Sequence, residues 1–407
     1  MYGLLKGLRI VEGASFIAAP LCGLTFVQLG ADVIRFDPIG GGPDFRRWPL
    51  APSGLSLYWE GLNKGKRSIA IDLGRPEGRE IAVALAAAPG PQGGYFVTNY
   101  PATGFLSHKA LRARRADLIT VRVTGSSDGR TALDYTVNCA AGYPDMTGPP
   151  ETQGPVNHVL PAWDIAAGLT AAVSLLAAAH NRAQTGCGRE IQVPLSNVAF
   201  GVLSALGNIG EVSVSGKDRP RYGNALYGSF GRDFVTADGR RVMIVAITRR
   251  QWRGLIEALD LGEAIADLER GHGKDFEADE GARFILRDQI FPLVQQALGS
   301  RRFDELAVTF DRNNVCWGQY QTVHEALGND ARLSLANAMF DDVSHPSGET
   351  YIAAGFPGVV GHMAREPVQP APSLGAHTDE ILAVELGLPD REIGRLHDSG
   401  VVAGPAS

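Results

Sequence analysis

Through the first half of the chain, short apolar runs alternate with longer stretches whose apolar positions recur three and four residues apart. LRIVEG (8–13) reads as a buried strand, APLCGLTFVQLG (19–30) as a helix closing at Gly30, and ADVIRFDP (31–38) as a second strand. The alternation continues through the strand SIAIDL, the helix PEGREIAVALAAA, the strand GYFVTNY, the helix LSHKALRARRA and the strand LITVRVTG. Strands separated by helices are βαβ units, which predict an α/β fold with a mostly parallel, Rossmann-like sheet covered on both faces. A long Ala-rich helix from Trp163, the strand REIQVPL and an apolar helix NVAFGVLSALGNIGEV extend the pattern. After Val214 the character changes. SGKDRPRYGN is a polar connection, FVTADGRRVMIVAI reads as a hairpin turning at Asp238-Gly239, and a charged helical region follows from Arg250 to about Asn329. This stretch predicts a second, smaller α+β domain.

At 407 residues, 44% of them hydrophobic and 20% charged, the chain has the composition of a folded protein with a sizeable core. A net charge of -6 argues against nucleic acid as the main partner, because neutralising phosphates wants a basic face. The four cysteines, Cys22, Cys139, Cys187 and Cys316, have no C-x-x-C pairing and read as reduced, mostly buried thiols. The opening MYGLLKGLRIVEG lacks the apolar core and cleavage site of a signal peptide, so a cytoplasmic protein is expected. Only residues 159–179 are apolar enough to raise the question of a membrane span. Asp164 and the Ala/Gly content favour a buried helix instead, and no membrane partner is expected.

Among motifs, Gly40-Gly41-Gly42 follows the second strand, as either a turn or a phosphate-facing loop, yet G-x-G-x-x-G and G-x-x-x-x-G-K-[ST] are absent. Lys64, Lys66 and Arg67 crowd the entrance to a strand, and Arg46 and Arg47 adjoin Trp48; either group suits a polyanion or simple solvation. Asp164 stands at the start of an apolar helix, where a carboxylate serves as a cap or, shielded from water, as a nucleophile. His158 precedes it closely, and His377 reads as structural. H-E-x-x-H, G-x-S-x-G and metal-ligand clusters do not occur, which removes support from metallohydrolase and serine-hydrolase readings and predicts no metal site.

Several ordered strings together resemble the family III CoA-transferases: residues 7–42, with the Ala-x-Pro and Leu-Gly-Ala-Asp-Val-Ile elements; LNKGKRSIAIDL, like the family's Leu-Asn-x-x-Lys-Arg-Ser; FVTNYPATG, where the family has a strand ending in Glu-Asn; and LGAHTDEIL near the C-terminus. The resemblance implies an enzyme acting on acyl-CoA, with CoA as part of the substrate and no separate cofactor. It further implies an interlocked homodimer whose large domain comprises residues 1–214 and a returning segment 331–407, with a small domain at 215–330. It makes Asp164 the catalytic nucleophile, and places Arg46, Lys64, Lys66, Arg67 and Asn99 in regions lining the CoA cleft. Racemases of the family carry a His immediately before an Asp; the matching pair here is Leu133-Asp134, which removes the base for proton exchange. For a carboxylate on the acyl group, Arg46, Arg47 and Arg232 are candidates on charge alone, and YGSFG (227–231) is a candidate closing segment, or an ordinary tight loop.

Overall fold

The computed structural model describes residues 1–405. The chain divides into two compact units, the first made of 1–141, 158–211 and the C-terminal segment from 331, the second of 142–157 and 212–330. The boundary read from the sequence keeps 142–157 with the first unit; in the structure that stretch packs with the second.

The first unit opens with β1 (Arg9–Gly13), α1 (Ala18–Gln28), β2 (Asp32–Asp37), α2 (Leu57–Asn63), β3 (Arg67–Ile71), α3 (Pro76–Ala86), β4 (Tyr95–Thr98), α4 (His108–Arg114), β5 (Ile119–Thr124) and α5 (Asp134–Ala140). A short α6 (Tyr143–Met146) lies in the second unit, after which α7 (Ala162–Thr185), β6 (Glu190–Pro194) and α8 (Leu195–Ala205) return to the first. The second unit carries an antiparallel sheet of β7 (Phe230–Val235), β8 (Arg241–Ala246) and β9 (Cys316–Gln319). Back in the first unit, β10 (Phe340–Ser344) and β11 (Thr350–Ala354) pair as a hairpin, and β12 (Val402–Ala403) ends the order.

The seven-stranded sheet runs β12-β3-β2-β1-β4-β5-β6, parallel except for β12 on β3. Register is set by apolar pairs such as Val11 opposite Ile34 and Phe96. One face buries Val11, Phe36, Ile69 and Phe96 under α3 and the C-terminal helices Thr378–Leu386 and Asp390–Asp398, whose Ile381, Leu382 and Leu396 complete the cluster. The other face is covered by α1 and α7. Helix α1 ends at Gln28 with Leu29 as its C-cap, and Gly30 takes the left-handed φ of 96° that turns the chain into β2. The expected apolar helix 197–212 breaks in two at Leu206-Gly207, as α8 and the helix Asn208–Ser215.

In the second unit the hairpin turns at Asp238-Gly239 as its sequence requires, with Thr236 N–H donating to the Arg240 carbonyl at 2.9 Å. Phe230, Phe234, Ile244, Trp252 and Phe291 form its core. The region expected to be helical to Asn329 is interrupted by β9, a four-residue edge strand too short to show a period. YGSFG forms the turn into β7, with Tyr227 stacked on Tyr222 at 5.7 Å. Cys22 is buried, as expected, whereas Cys139, Cys187 and Cys316 are exposed, the last two on a loop and an edge strand. Helix α7 is long and apolar enough to cross a membrane by composition. Its Trp163, Ala167, Ala171 and Leu175 are buried, while Leu169, Val173 and Leu176 on its outer side are exposed.

Candidate active site

Strand order reverses between β1 and β4, and at such a switch point loops leaving the carboxyl ends of neighbouring strands diverge to opposite faces, opening a crevice. Here the crevice is a cleft of about 520 Å³ lined by Ser15 to Ala18 after β1, Asn99 to Ala102 after β4, Gly125 after β5 and Leu195 after β6, with Asp164 at its wall. Asn99 straps the divergence: its Oδ1 accepts from Ser15 N–H at 3.2 Å and its Nδ2 donates to the Ser15 carbonyl at 2.8 Å. The next residue, Phe16, is held at φ 71°, a conformation unfavourable for a side chain of its size, and its N–H donates to Asp44 at 3.0 Å.

Asp164 is the third residue of α7, whose N-cap, Pro161, offers no side-chain acceptor to the orphan amides. Asp134, the first residue of α5, supplies it: one carboxylate oxygen accepts from Trp163 N–H at 2.6 Å and Asp164 N–H at 3.1 Å, the other meets His158 Nε2 at 2.7 Å. One turn along α5, Asn138 accepts from the Trp163 indole at 3.0 Å, so positions i and i+4 of one helix fix the first turn of another. The capping role that the sequence left open for Asp164 thus belongs to Asp134. In the sequence Asp134 stands out only as the residue after Leu133, because an isolated Asp thirty positions before Asp164 carries no local signal.

With the backbone satisfied by Asp134, the Asp164 carboxylate makes no hydrogen bond among the described residues and faces the cleft. Burial, and after it the Asp134 charge, push its carboxyl up to about 6, against the pull of the Arg47 guanidinium. At neutral pH it is therefore ionised yet poorly solvated, the state in which a carboxylate is most nucleophilic. Leu133 lines the cleft beside it with an apolar side chain.

The structure brings Asn99, Asp164 and Arg47 to one cleft and leaves Arg46, Lys64, Lys66 and Arg67 out of its lining. Lys66 is fully buried, its ammonium bonded to both Glu12 carboxylate oxygens and to the Pro20 carbonyl at 2.9 Å and to Asn63 at 3.0 Å. It belongs to a cluster in which Arg35 bonds Asp37 through two 2.8 Å contacts and also reaches Glu12, Asp44 and Asn63. Arg67 is paired with Asp32, Glu380 and Glu385. Lys64, half-buried after α2 and pushed down by burial, and Arg46, exposed, have no ion-pair partner among the described residues. His377 accepts from Ser68 N–H at 3.1 Å, tying the C-terminal helix to β3. Gly40 and Gly41 form a left-handed turn, with Gly41 N–H donating to the Pro38 carbonyl. Among the described residues, no group of three or more His, Cys, Asp or Glu is placed to hold a metal ion.

A doubly wound sheet that opens a cleft at its switch point, with an unbonded carboxylate in the cleft wall, defines an α/β enzyme. The model of CoA-transferase family III matches residues 5–378, and the chain belongs to this family. Its relatives include 2-methylfumaryl-CoA isomerase of Chloroflexus aurantiacus, 50% identical over 406 residues that cover 100% of this chain and 99% of the relative. Succinyl-CoA:mesaconate CoA-transferase of Haloarcula hispanica is 28% identical, over 71% of this chain and 73% of its own. Among solved structures, a CAIB/BAIF family protein from Brucella suis superposes with a TM-score of 0.76 at 26% identity, covering 94% of this chain and 99% of that one.

Proposed function

We propose that the enzyme moves CoA within one molecule, from the C1 to the C4 carboxyl of mesaconate, converting 2-methylfumaryl-CoA to 3-methylfumaryl-CoA through covalent intermediates on Asp164. The observation that carries this reading is the ionised, unbonded Asp164 carboxylate at the switch-point cleft, joined to 50% identity with a 2-methylfumaryl-CoA isomerase over the whole chain.

Mesaconate is a trans-butenedioate, whose carboxyl groups cannot close a five-membered anhydride, so a temporary acceptor is needed. The Asp164 carboxylate adds to the C1 thioester carbonyl and expels CoA thiolate, leaving an acyl-aspartyl anhydride. The thiolate attacks the aspartyl carbonyl, releasing the C1 carboxylate and forming an aspartyl-CoA thioester. Mesaconate then reverses. Its C4 carboxylate displaces the thiolate to re-form an anhydride, and the thiolate attacks the C4 carbonyl, regenerating Asp164. No proton is gained or lost, and one thioester replaces another near thermoneutrality, so the enzyme's task is to lower barriers. For CoA itself, Asn99, Lys64 and Arg46 are the contacts this reading favours, because Lys66 and Arg67 are engaged by carboxylates.

Purified enzyme given 2-methylfumaryl-CoA alone is expected to yield the C4 isomer without any added acceptor. A second reading, transfer to a separate dicarboxylate, is favoured by the likeness to a succinyl-CoA:mesaconate CoA-transferase. Labelled free mesaconate separates the two: label entering the thioester pool at the turnover rate sinks the intramolecular reading.

We also infer that the enzyme works in the cytoplasm as a homodimer. The exposed Leu169, Val173 and Leu176 of α7, with Phe200 of α8 and Leu206 after it, leave apolar surface that a second copy would cover. Sedimentation at micromolar concentration is expected to give twice the 43.3 kDa chain mass; a monomer there would remove this inference.

A further inference from the structure

Three arginines line the cleft that holds Asp164, and two are already engaged. Arg122 is buried, with Nε on Glu190 at 3.1 Å and its remaining nitrogens on the carbonyls of Tyr100, Pro101 and Leu106. Arg130 is paired with Asp128 at 2.6 Å. Arg47 has no carboxylate within ion-pair distance among the described residues. Its guanidinium instead lies against two rings, 5.7 Å from the Phe16 centroid and 5.4 Å from that of Tyr58. The backbone beneath is fixed on both sides, Arg47 N–H donating to the Asp44 carbonyl at 3.1 Å and the Arg47 carbonyl accepting from the Ser56 hydroxyl.

Tyr58 adds an independent observation. Its hydroxyl is shielded from solvent and has no hydrogen-bond partner, although it belongs to a side chain that lines the cleft. Buried hydroxyls are rarely left this way, because the water they give up must be replaced. Burial also pushes the phenol up, so it remains a donor throughout the neutral range. A planar guanidinium held by aromatic rings, beside an unsatisfied hydroxyl donor, matches a carboxylate that accepts two hydrogen bonds from the arginine and one from the phenol.

We propose that Arg47, together with the Tyr58 hydroxyl, binds the free carboxylate of a dicarboxylic acyl group while Asp164 reacts at the other end, and thereby selects dicarboxylyl over monocarboxylyl thioesters. This assignment rests on the CoA-transfer reading above. It gives mesaconate an anchor at each acylated stage: Arg47 holds the C4 carboxylate while C1 is joined to CoA or Asp164, and the C1 carboxylate after the reversal.

The test uses two thioesters that differ only in a carboxylate against a methyl group, fumaryl-CoA and crotonyl-CoA, with single-turnover trapping of Asp164 by hydroxylamine as the readout. Wild-type enzyme is expected to label faster with fumaryl-CoA. In Arg47→Gln that preference should shrink by about tenfold or more, the scale of one charged hydrogen bond, chiefly through weaker substrate binding. Arg47→Lys should keep part of it, and Tyr58→Phe should reduce it less. An equal loss for both thioesters in Arg47→Gln would show that the arginine acts only through the Asp164 charge and would overturn the assignment, as would an unchanged preference. Melting temperatures of the variants, read beside their crotonyl-CoA rates, expose any that are misfolded, in which case Arg47→Lys and Tyr58→Phe decide. If wild-type enzyme shows the preference but never isomerises 2-methylfumaryl-CoA, the functional reading fails and this one stands. Labelling by neither thioester would overturn both.

Discussion

Replacing Asp164 with Ala or Asn is expected to reduce isomerisation on the order of a thousandfold or more, because the substitution removes the acceptor to which the proposed mechanism assigns the acyl group and then CoA. Hydroxylamine added during turnover of the unaltered enzyme should leave a hydroxamate at Asp164 and nowhere else. Substantial turnover by Asp164→Ala, or a hydroxamate at another residue, would refute the mechanism. The same carboxyl sets a pH dependence. Its value is raised to about 6 by burial and by Asp134, and the proposed attack requires the ionised form, so kcat/KM should climb about tenfold per pH unit below 6 and level off above it. Stability runs the other way. A carboxyl whose folded value exceeds its unfolded one favours folding when protonated, and that contribution is lost as pH rises through about 6. Asp164→Asn should therefore melt higher than wild type at pH 7.5, with the difference vanishing below pH 4. A variant less stable at neutral pH would contradict the burial cost assigned to this carboxylate.

Lys66→Met is expected to destabilise the first unit by about 3–5 kcal/mol, the cost of leaving a buried charge without its partner. Glu12 and Lys66 both have fully buried side chains, and burial pushes the Glu12 carboxyl up and the Lys66 ammonium down, each toward neutrality. What keeps the pair charged is mutual contact, supplemented by Arg35, Asn63 and the Pro20 carbonyl. Removing the ammonium leaves Glu12 only the longer 3.4 Å contact to Arg35. The double variant Glu12→Gln, Lys66→Met should regain most of the loss, since no orphan charge remains. Chemical denaturation of the three variants decides this; a single-variant loss under about 1 kcal/mol, or a double variant worse than the single, would show that the pair is not held as a pair.

The parallel sheet was legible because six strands carry their own signal, an apolar run bounded by turn residues, and the helices between them are long enough to show a period. The identity of β9 was not, since four residues with alternating exposure contain no period to read. At the site, Asp164 could be found as a carboxylate opening an apolar helix, and family likeness weighted it toward catalysis. Lys66 and Arg67 read as loop cations because charge is visible in a sequence and the partner is not. Glu12 lies on another strand and Glu385 on a C-terminal helix, and only folding puts them within 3 Å of those cations. Asp134 was obscured for the same reason: a cap supplied from another helix leaves no spacing rule to recognise. Tyr58, whose distinction is a missing partner, could be singled out only once its surroundings were known.

One helical turn after Asp164, on the same side of α7, Gly168 sits so close to α1 that a β-carbon there would come within 2.6 Å of the Ala18 carbonyl oxygen. Asp164 is thus registered by the close approach of α7 to the α1 main chain and, from the other direction, by the Asp134 cap on its own backbone N–H. The walls around it are different: Phe16, Arg47 and Leu133 reach the cleft as side chains. The carboxylate and the walls around it are thereby separable in heredity. Substitutions in the walls leave the Asp164 carboxylate in its place, so a lineage built on this scaffold can reshape its cleft one side chain at a time.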